Sequence, residues 1–409
     1  MDSIPELAVI VMCCNEDNVL GRCLESCSGL ELHVSIDNKT TDASADVAIA
    51  HGATLYKHEF ANNSWADTRN AVMAEVEATS AADWFLWLDA DEWLLGGREL
   101  LPHALAAAEQ HEVRGIAVTM QDHREADDGT TLLPGRWPNV KVLRRGVRYE
   151  RRRHEAVPAE TPRVQAEQIV IGHRKSQRPE VIAANEDLKG DLSALVADWE
   201  QYRDRRSAYY LADRYYRAGE YWTAVQWYQT GLRTHSPQVG MEALLRDGAA
   251  QCYRLLGQVE DAREMARGKL LSTAEDFAEA CFDVGCDSHN LGDVQQAQFY
   301  LKMAIAAAQY SPPRLGGIGH PEKSGQLAYF VLALSEFTQG RLKESAAWLA
   351  KAESLGPDPR HRALWERILQ EGAKEFASVP EQPTESEQEP EEVTADAVVC
   401  GGGSQYADG

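Results

Sequence analysis

Two carboxylates separated by one residue, Asp89 and Asp91, close the apolar run Trp84-Phe85-Leu86-Trp87-Leu88, with Glu92 directly after. Hard oxygen donors at that spacing suit Mg²⁺ or Mn²⁺, ions that keep some waters and share phosphate oxygens. A strand followed by a polar turn would leave the same letters, because Asp is common in turns. Other residues therefore have to decide. Asp37 ends a short alternating stretch, and Arg69 and Asn70 stand near the start of a helix-like segment. Asp122 follows the strand-like run Ile116 to Met120, and His154-Glu155 ends a basic stretch. Beside a cleft holding Asp89 and Asp91, His154 is a candidate extra metal ligand and Glu155 a candidate proton acceptor.

The elements that must position these groups read as follows. Leu7 to Cys14 is a buried strand, bounded by Pro5 and the turn Asn15-Glu16-Asp17-Asn18. Asn18 can cap a helix whose apolar face is Val19, Leu20, Cys23, Leu24 and Cys27. His33 to Ile36 is a second strand, and Asp42 or Ser44 can cap a helix from Ala45 to His51. Gly52 stands where a left-handed helix end needs it. Thr54 to Lys57 is a third strand, followed by a helix from Trp65 to Ala78 and then the Trp84 strand. Strands alternating with helices of this length predict an α/β domain with a parallel, doubly wound sheet, which binds ligands beyond the carboxyl ends of its strands. No G-x-G-x-x-G follows the first strand, and Gly401-Gly402-Gly403 lacks a strand–helix context. Carboxylates at strand ends favour holding a nucleotide through a metal. His154-Glu155 also looks like the start of a zinc-protease helix motif, but Pro158 occupies the place of the second His, so that reading fails.

With 409 residues, two or three domains are expected, and 44% apolar content is ordinary for a globular chain. The net charge of −23 argues against general binding to polyanions. A basic island nevertheless runs from Arg136 to Arg153, with Lys141, Arg144, Arg145, Arg148, Arg151 and Arg152. It reads as a solvated strand or loop, or as the contact for a local anion such as a diphosphate. Eight cysteines without a CxxC pair fit a reduced, cytoplasmic setting, with Cys23 and Cys27 as core residues. No apolar run reaches membrane-spanning length, and the acidic start lacks the basic region of a signal peptide.

Beyond Pro179 the composition turns to helix formers and repeats itself with a period in the mid-thirties to upper forties. Leu211, Tyr215, Gly219, Tyr221, Ala224 and Tyr228 form one unit, and Ala250, Tyr253, Gly257, Val259 and Ala262 a second. Gly285, Gly292, Val294, Ala297 and Leu301 form a third, and Ala333, Gly340, Leu342 and Leu349 a fourth, after an insertion from Ser311 to Ser324. This is the helix–turn–helix pattern of tetratricopeptide repeats, which bury a core by stacking and bind peptides or proteins, or serve self-association. The expected divisions are a first domain over 1–178, a helical linker over 179–206, repeats over 207–373 and an acidic, disordered tail over 374–409.

Five places, in order, resemble an inverting glycosyltransferase of family 2. They are Val9-Ile10-Val11-Met12 with Asn15-Glu16; Ile36-Asp37 with Thr41-Asp42; Ala66 with Arg69-Asn70; Leu86 to Glu92; and Arg153-His154-Glu155. The resemblance covers roughly residues 5 to 365 and is nearest to the bacterial and phage branch in which repeats follow the transferase domain. That branch includes a peptide S-glycosyltransferase that modifies a bacteriocin cysteine. Two departures stand out: Cys13-Cys14 replaces the frequent basic residue before Asn15-Glu16, and Asp37-Asn38-Lys39-Thr40-Thr41-Asp42 replaces the usual Gly-containing turn. The resemblance implies a GT-A (Rossmann-like) α/β domain followed by an all-α repeat domain, and transfer of a sugar from a nucleotide-diphosphate sugar, with a UDP-sugar as the expected donor. It implies that Asp91, with His154, holds Mn²⁺ or Mg²⁺. Asp89 meets the ribose or a metal-bound water, Asp37 reads the nucleobase and Arg69 lies by the donor. Glu155 is the first choice of general base and Asp122 the second. The repeats imply a peptide or protein acceptor and leave room for a homo-oligomer, with no membrane partner. Two alternatives stay open: transfer to a modified DNA base, motivated by Arg144 to Arg153, and a non-catalytic repeat scaffold.

Overall fold

The computed structural model describes residues 5–60, 64–125, 131–132, 136–174, 188–235, 240–270, 277–310, 325–356 and 358–377. The chain divides after Arg203 into two compact units.

In the first unit β1 (Leu7–Cys13), α1 (Asp17–Ser26), β2 (Glu31–Asp37), α2 (Ser44–Ala50), β3 (Thr54–His58), α3 (Trp65–Thr79) and β4 (Trp84–Asp89) follow the predicted order. Their strands pair in parallel as β3-β2-β1-β4. The sequences Leu7–Cys13 and Trp84–Asp89 are nearly continuous in apolar residues because both faces of this sheet are covered. Val9, Val11, Leu86 and Leu88 join the core under α1, whereas Ala8, Ile10, Phe85 and Trp87 join the core under α3.

The four predicted strands do pair in parallel, but the sheet extends beyond them and becomes mixed. Further elements are β5 (Glu92–Gly96), α4 (Leu101–Gln110), β6 (Gly115–Asp122), the short ribbon β7 (Arg124–Glu125) with β8 (Thr131–Leu132), β9 (Arg136–Arg144) and β10 (Arg163–His173). The eight-stranded order is β3-β2-β1-β4-β9-β6-β10-β5. Strand β9, the basic stretch, inserts antiparallel between β4 and β6, and β5 lies antiparallel on β10. Since β6 and β10 are parallel, β1, β2, β3, β4, β6 and β10 all point one way. Their carboxyl ends therefore share one edge.

Helix starts differ in detail from the predicted caps. Helix α1 begins at Asp17, one residue before Asn18, and neither α1 nor α2 has a side-chain cap at its N-cap residue. The polar side chains instead stitch two turns together. Asn15, at a left-handed φ of 54°, accepts the Thr41 N–H at 2.8 Å through its amide oxygen. Asp42 accepts the Asp17 N–H at 3.0 Å and the Ser44 N–H at 3.0 Å. Helix α5 (Leu188–Tyr202), in the expected linker, packs with the first unit: its buried Asp198 accepts the Arg152 N–H at 3.0 Å and the Arg153 N–H at 3.2 Å.

The second unit is a series of helices, α6 (Arg205–Arg217), α7 (Tyr221–Arg233), α8 (Met241–Leu255), α9 (Val259–Leu270), α10 (Phe277–Asn290), α11 (Val294–Tyr310), α12 (Gln326–Phe337), α13 (Leu342–Ser354) and α14 (Pro359–Ala377). The insertion from 311 to 324, and the tail beyond 377, lie outside the described residues. Four pairs share the same turn: Gly219, Gly257, Gly292 and Gly340 have φ of 77°, 73°, 75° and 71°. Small residues sit where the helices cross, among them Ala212, Ala224, Ala250 and Ala262 in the first two pairs. The repeated turn explains why the sequence period could be read at all.

Among the described residues Gly257 has nothing within 4 Å of the position a Cβ would take, so replacing it tests backbone strain. Gly257→Ala is expected to cost about 1–2 kcal/mol, and Gly257→Asn less, because Asn visits the left-handed region more readily. Equilibrium urea unfolding of the three proteins measures that ranking; equal stability of all three would overturn it.

Candidate active site

The shared edge gathers the ends of the strands that point to it. Asp37 ends β2, Asp89 ends β4, Asp122 ends β6 and His173 ends β10, while β5 starts at Glu92. Asp37 is buried and accepts the Lys39 N–H at 3.0 Å, closing the turn that carries Thr41 and Asp42.

Helix α3 supplies the central cation. Ser64 caps it by accepting the Asp67 N–H at 3.3 Å, which fixes Arg69 in the second turn. The Arg69 Nε–H donates to Glu155 Oε1 at 2.6 Å, and Nη2 lies 3.1 Å from Asp89 Oδ1. The guanidinium also lies over the rings of Trp87 and Tyr149, at 4.7 and 5.4 Å from their centroids. Its neighbour Asn70 holds Tyr149 by both backbone groups, each bond 2.8 Å. Three predicted residues far apart in sequence, Arg69, Asp89 and Glu155, thus form one ionic cluster. Burial disfavours charge on Arg69, but Asp89 and Glu155 outweigh it and hold the group protonated. Burial likewise works against the Asp89 carboxylate, and Arg69 reverses it, so Asp89 stays below the usual carboxylate range. The Asp89 side chain keeps 39% of its surface exposed, against 15% for Glu155, so both still face solvent.

A second cluster lies directly behind. Glu92 is 3% exposed, and both its oxygens accept from Lys141 Nζ, at 2.7 and 2.8 Å. Glu92 Oε2 also accepts the Asp89 N–H at 2.9 Å. Lys141 comes from the middle of β9 and is itself buried. Burial disfavours its charge, yet Glu92 and Asp89 raise its pKa. This pair holds the turn that presents Asp91.

Asp91 faces an imidazole that the sequence reading does not name. His173 Nε2 is 3.5 Å from Asp91 Oδ2, and Nδ1 is 3.5 Å from Asp122 Oδ1. Burial works against a charged ring, but Asp122 and Asp91 overcome it and push the pKa of His173 up to about 10. Among the described residues no group of three or more His, Cys, Asp or Glu is arranged as a metal site. The donors do fit one: a carboxylate oxygen and an imidazole nitrogen suit Mn²⁺, which would displace the His173 proton, since ligands bind deprotonated. His173 ends the apolar run Ile169-Val170-Ile171-Gly172, the signal that marked Asp37 and Asp89, so strand-end logic could have found it. His154 sits beside Glu155 in a tight loop, at φ 50°, within the span closed by the bridge between Glu150 and Ala156.

Much of the basic island is paired within the protein, although Arg144, Arg148 and Arg152 keep part of their surface exposed. Lys141 pairs with Glu92, Arg144 with Glu109 at 2.8 Å, Arg148 with Glu77 at 2.5 Å and Arg152 with Asp198 at 3.3 Å. Arg145 donates to the carbonyls of Glu77, Ser80 and Ala82, and Arg151 lies over the Tyr202 ring. Its charge is spent on holding β9 and the following loop.

Comparison with known proteins finds enzymes similar to this part of the chain. Residues 8–162 match the family model described as Glycosyl transferase family 2. A curated relative, the lipopolysaccharide core biosynthesis glycosyltransferase LpsC of Rhizobium meliloti (strain 1021), is 26% identical over 208 residues, covering 50% of this chain and 75% of its own. The first unit is accordingly a nucleotide-sugar-dependent glycosyltransferase domain. Solved structures similar to part of the chain include MamA, at 12% identity and TM-score 0.34, covering 49% of this chain and 98% of its own. YrrB, titled a TPR protein with an unusual peptide-binding site, has 18% identity and TM-score 0.34, with coverage of 48% and 88%. A thermophilic TPR protein of Thermus thermophilus has 20% identity and TM-score 0.31, with coverage of 47% and 95%.

Lys141→Met would leave Glu92 as an unpaired buried carboxylate. Loss of one partner of such a pair is expected to cost about 3–5 kcal/mol, and the double variant Lys141→Met/Glu92→Gln should recover part of it. Urea unfolding followed by tryptophan fluorescence reads both; a single variant as stable as the parent would show that the pair is not needed.

Proposed function

We propose that this chain, whose residues 8–162 match glycosyl transferase family 2, is a metal-dependent inverting glycosyltransferase that moves a sugar from a nucleotide-diphosphate sugar to a peptide or protein. The observation that carries the reading is the single edge on which Asp91 with His173 stands beside the Arg69–Asp89–Glu155 cluster. The turn of Asp37 receives the nucleoside, with a UDP-sugar as the expected donor. Asp91 and His173 would hold Mn²⁺ or Mg²⁺, and Asp89 would face the donor's ribose. When bound, the cation neutralises charge on the departing nucleoside diphosphate.

Inversion requires a base on the acceptor side to take the proton from the attacking atom while the bond to the anomeric carbon forms from the opposite face. Glu155 is the first candidate. One of its oxygens is committed to Arg69, which aims the carboxylate. Asp122 remains the second candidate, and its contact with His173 makes it equally suited to support the metal ligand.

The helical unit supports a polypeptide acceptor. A saccharide acceptor is the second reading, favoured by the relative named for lipopolysaccharide core biosynthesis. Transfer to a DNA base loses its motive, because Arg144, Arg145, Arg148 and Arg152 are engaged within the protein. The scaffold reading is set aside by the family match together with an intact set of ionic partners at the edge. No helix among the described residues is long and apolar enough to cross a membrane.

The reading is tested by hydrolysis and binding across a panel of nucleotide sugars, with Mn²⁺ and with EDTA. One donor should be turned over only with metal, and Asp91→Asn should lower that rate by about 10²–10³, the scale of several kcal/mol of charge stabilisation. Undiminished turnover in EDTA, or by Asp91→Asn, would overturn the metal assignment.

A further inference from the structure

Beside Asp91 stands a cation that none of the roles above uses. Arg22, on α1, carries its guanidinium 3.6 Å over the centroid of Trp93. Among the described residues it makes no hydrogen bond or ion pair, although the chain carries a net charge of −23. On the same indole lies His123, with ring centroids 4.9 Å apart, and its buried Nε2 has no hydrogen-bond partner among the described residues. Trp93 is locked there. A Cβ at Gly172 would sit 2.4 Å from its ring, so only glycine leaves room for it.

The location ties this group to the reaction. Helix α1 touches the Asp89 turn, where the Cys23 thiol reaches the Asp89 carbonyl at 3.7 Å. The His123 N–H donates to the His173 carbonyl at 2.8 Å, and the Arg174 N–H donates to the Asp91 carbonyl at 3.1 Å. These bonds bring His123 beside His173 and Arg174 beside Asp91, while His173 itself lies between Asp91 and Asp122. Burial lowers the pKa of Arg22, Arg174 lowers it further and Asp91 opposes them.

We propose that Arg22 and His123, braced on Trp93, form a phosphoryl-binding subsite next to the metal carboxylate. A guanidinium presents paired N–H donors that match phosphoryl oxygens, and stacking orders it in advance, so less freedom is lost on binding. The phosphoryl group comes either from the donor's diphosphate or from a phosphorylated acceptor. The subsite rests on the proposed transferase reading for its purpose, though its occupancy can be measured without any transfer.

The probes are inorganic pyrophosphate, UDP and uridine, titrated calorimetrically into the full chain in EDTA and in Mn²⁺. The variants are Arg22→Gln, Arg22→Lys and His123→Gln, with Arg362→Gln, on an exposed helix of the second unit, as a control for lost charge. Arg22→Gln is expected to weaken pyrophosphate at least about tenfold, the scale of losing a charge-assisted hydrogen bond. Arg22→Lys should recover only part, and His123→Gln should weaken it to a smaller degree. If UDP weakens in parallel while uridine does not, the donor's diphosphate fills the subsite. If pyrophosphate weakens and UDP does not, a phosphorylated acceptor does. Pyrophosphate affinity equal in parent and Arg22→Gln, with circular dichroism unchanged, would overturn the subsite. If no nucleotide sugar is hydrolysed yet pyrophosphate binding still depends on Arg22, the transferase reading fails and the subsite stands.

Discussion

The edge of this sheet depends on one buried guanidinium. Asp89 arrives at the end of β4 and Glu155 on a loop beyond β9, and each brings a negative charge to the same place. Without a cation between them, two carboxylates in a half-buried site repel, and one would take up a proton. Arg69 removes that penalty, and it does so from a helix whose start is set independently by Ser64. Its position over Trp87 and Tyr149 costs it hydration but gives it two aromatic faces in return. The cluster thus fixes two acids at a set spacing around one cation, each with surface still open to solvent.

The same logic is repeated one layer deeper. Glu92 and Lys141 are more buried than the acids in front of them, and such pairs are seldom a net source of stability against an apolar alternative. What this one supplies is direction. Glu92 takes the Asp89 N–H, so the backbone of the Asp-Ala-Asp turn is held by a side chain whose own position is set from β9. A purely apolar filling would leave that N–H without an acceptor and the turn free to rotate. Strand β9 therefore contributes to the site from behind, without reaching the cleft.

Legibility followed the kind of signal each residue emits. Asp37, Asp89, Asp91 and Asp122 could be read because each interrupts an apolar run at a strand end, and the run announces the strand. Arg69 with Asn70 was legible through family resemblance, though the bond of Arg69 to Glu155 was not, since it joins residues 86 positions apart. Strand β9 was obscured by its own charges: Lys141 and Arg144 read as solvent-facing until their acids, Glu92 and Glu109, are brought alongside. The antiparallel part of the sheet was not legible for a related reason. Its parallel half carries the helical crossovers that pattern the sequence, whereas β5 follows β4 directly, and β9 and β10 follow the strands before them without an intervening helix that would mark their direction. His173 emitted the right signal at the far end of a strand that had not been recognised.

The second unit shows why repeats can be legible in outline and opaque in detail. A turn that requires a left-handed residue recurs, so Gly219, Gly257, Gly292 and Gly340 stand out whatever surrounds them. The contacts that lock one repeat to the next are not periodic. Lys269, only 1% exposed, joins Asp247 on α8 at 2.8 Å and reaches Glu279 on α10 at 3.7 Å. Arg254 meets the fully buried Asp287 at 2.7 Å. Apolar repeat faces can slide by a turn at little cost, because one small residue resembles another. A buried ion pair cannot, because each misregistered arrangement would leave a charge alone in the interior. The stacking of α8, α9 and α10 is therefore specified by a few charges that occur once each. That makes the centre of this unit particular to this chain, in contrast to the turns that any such repeat would share.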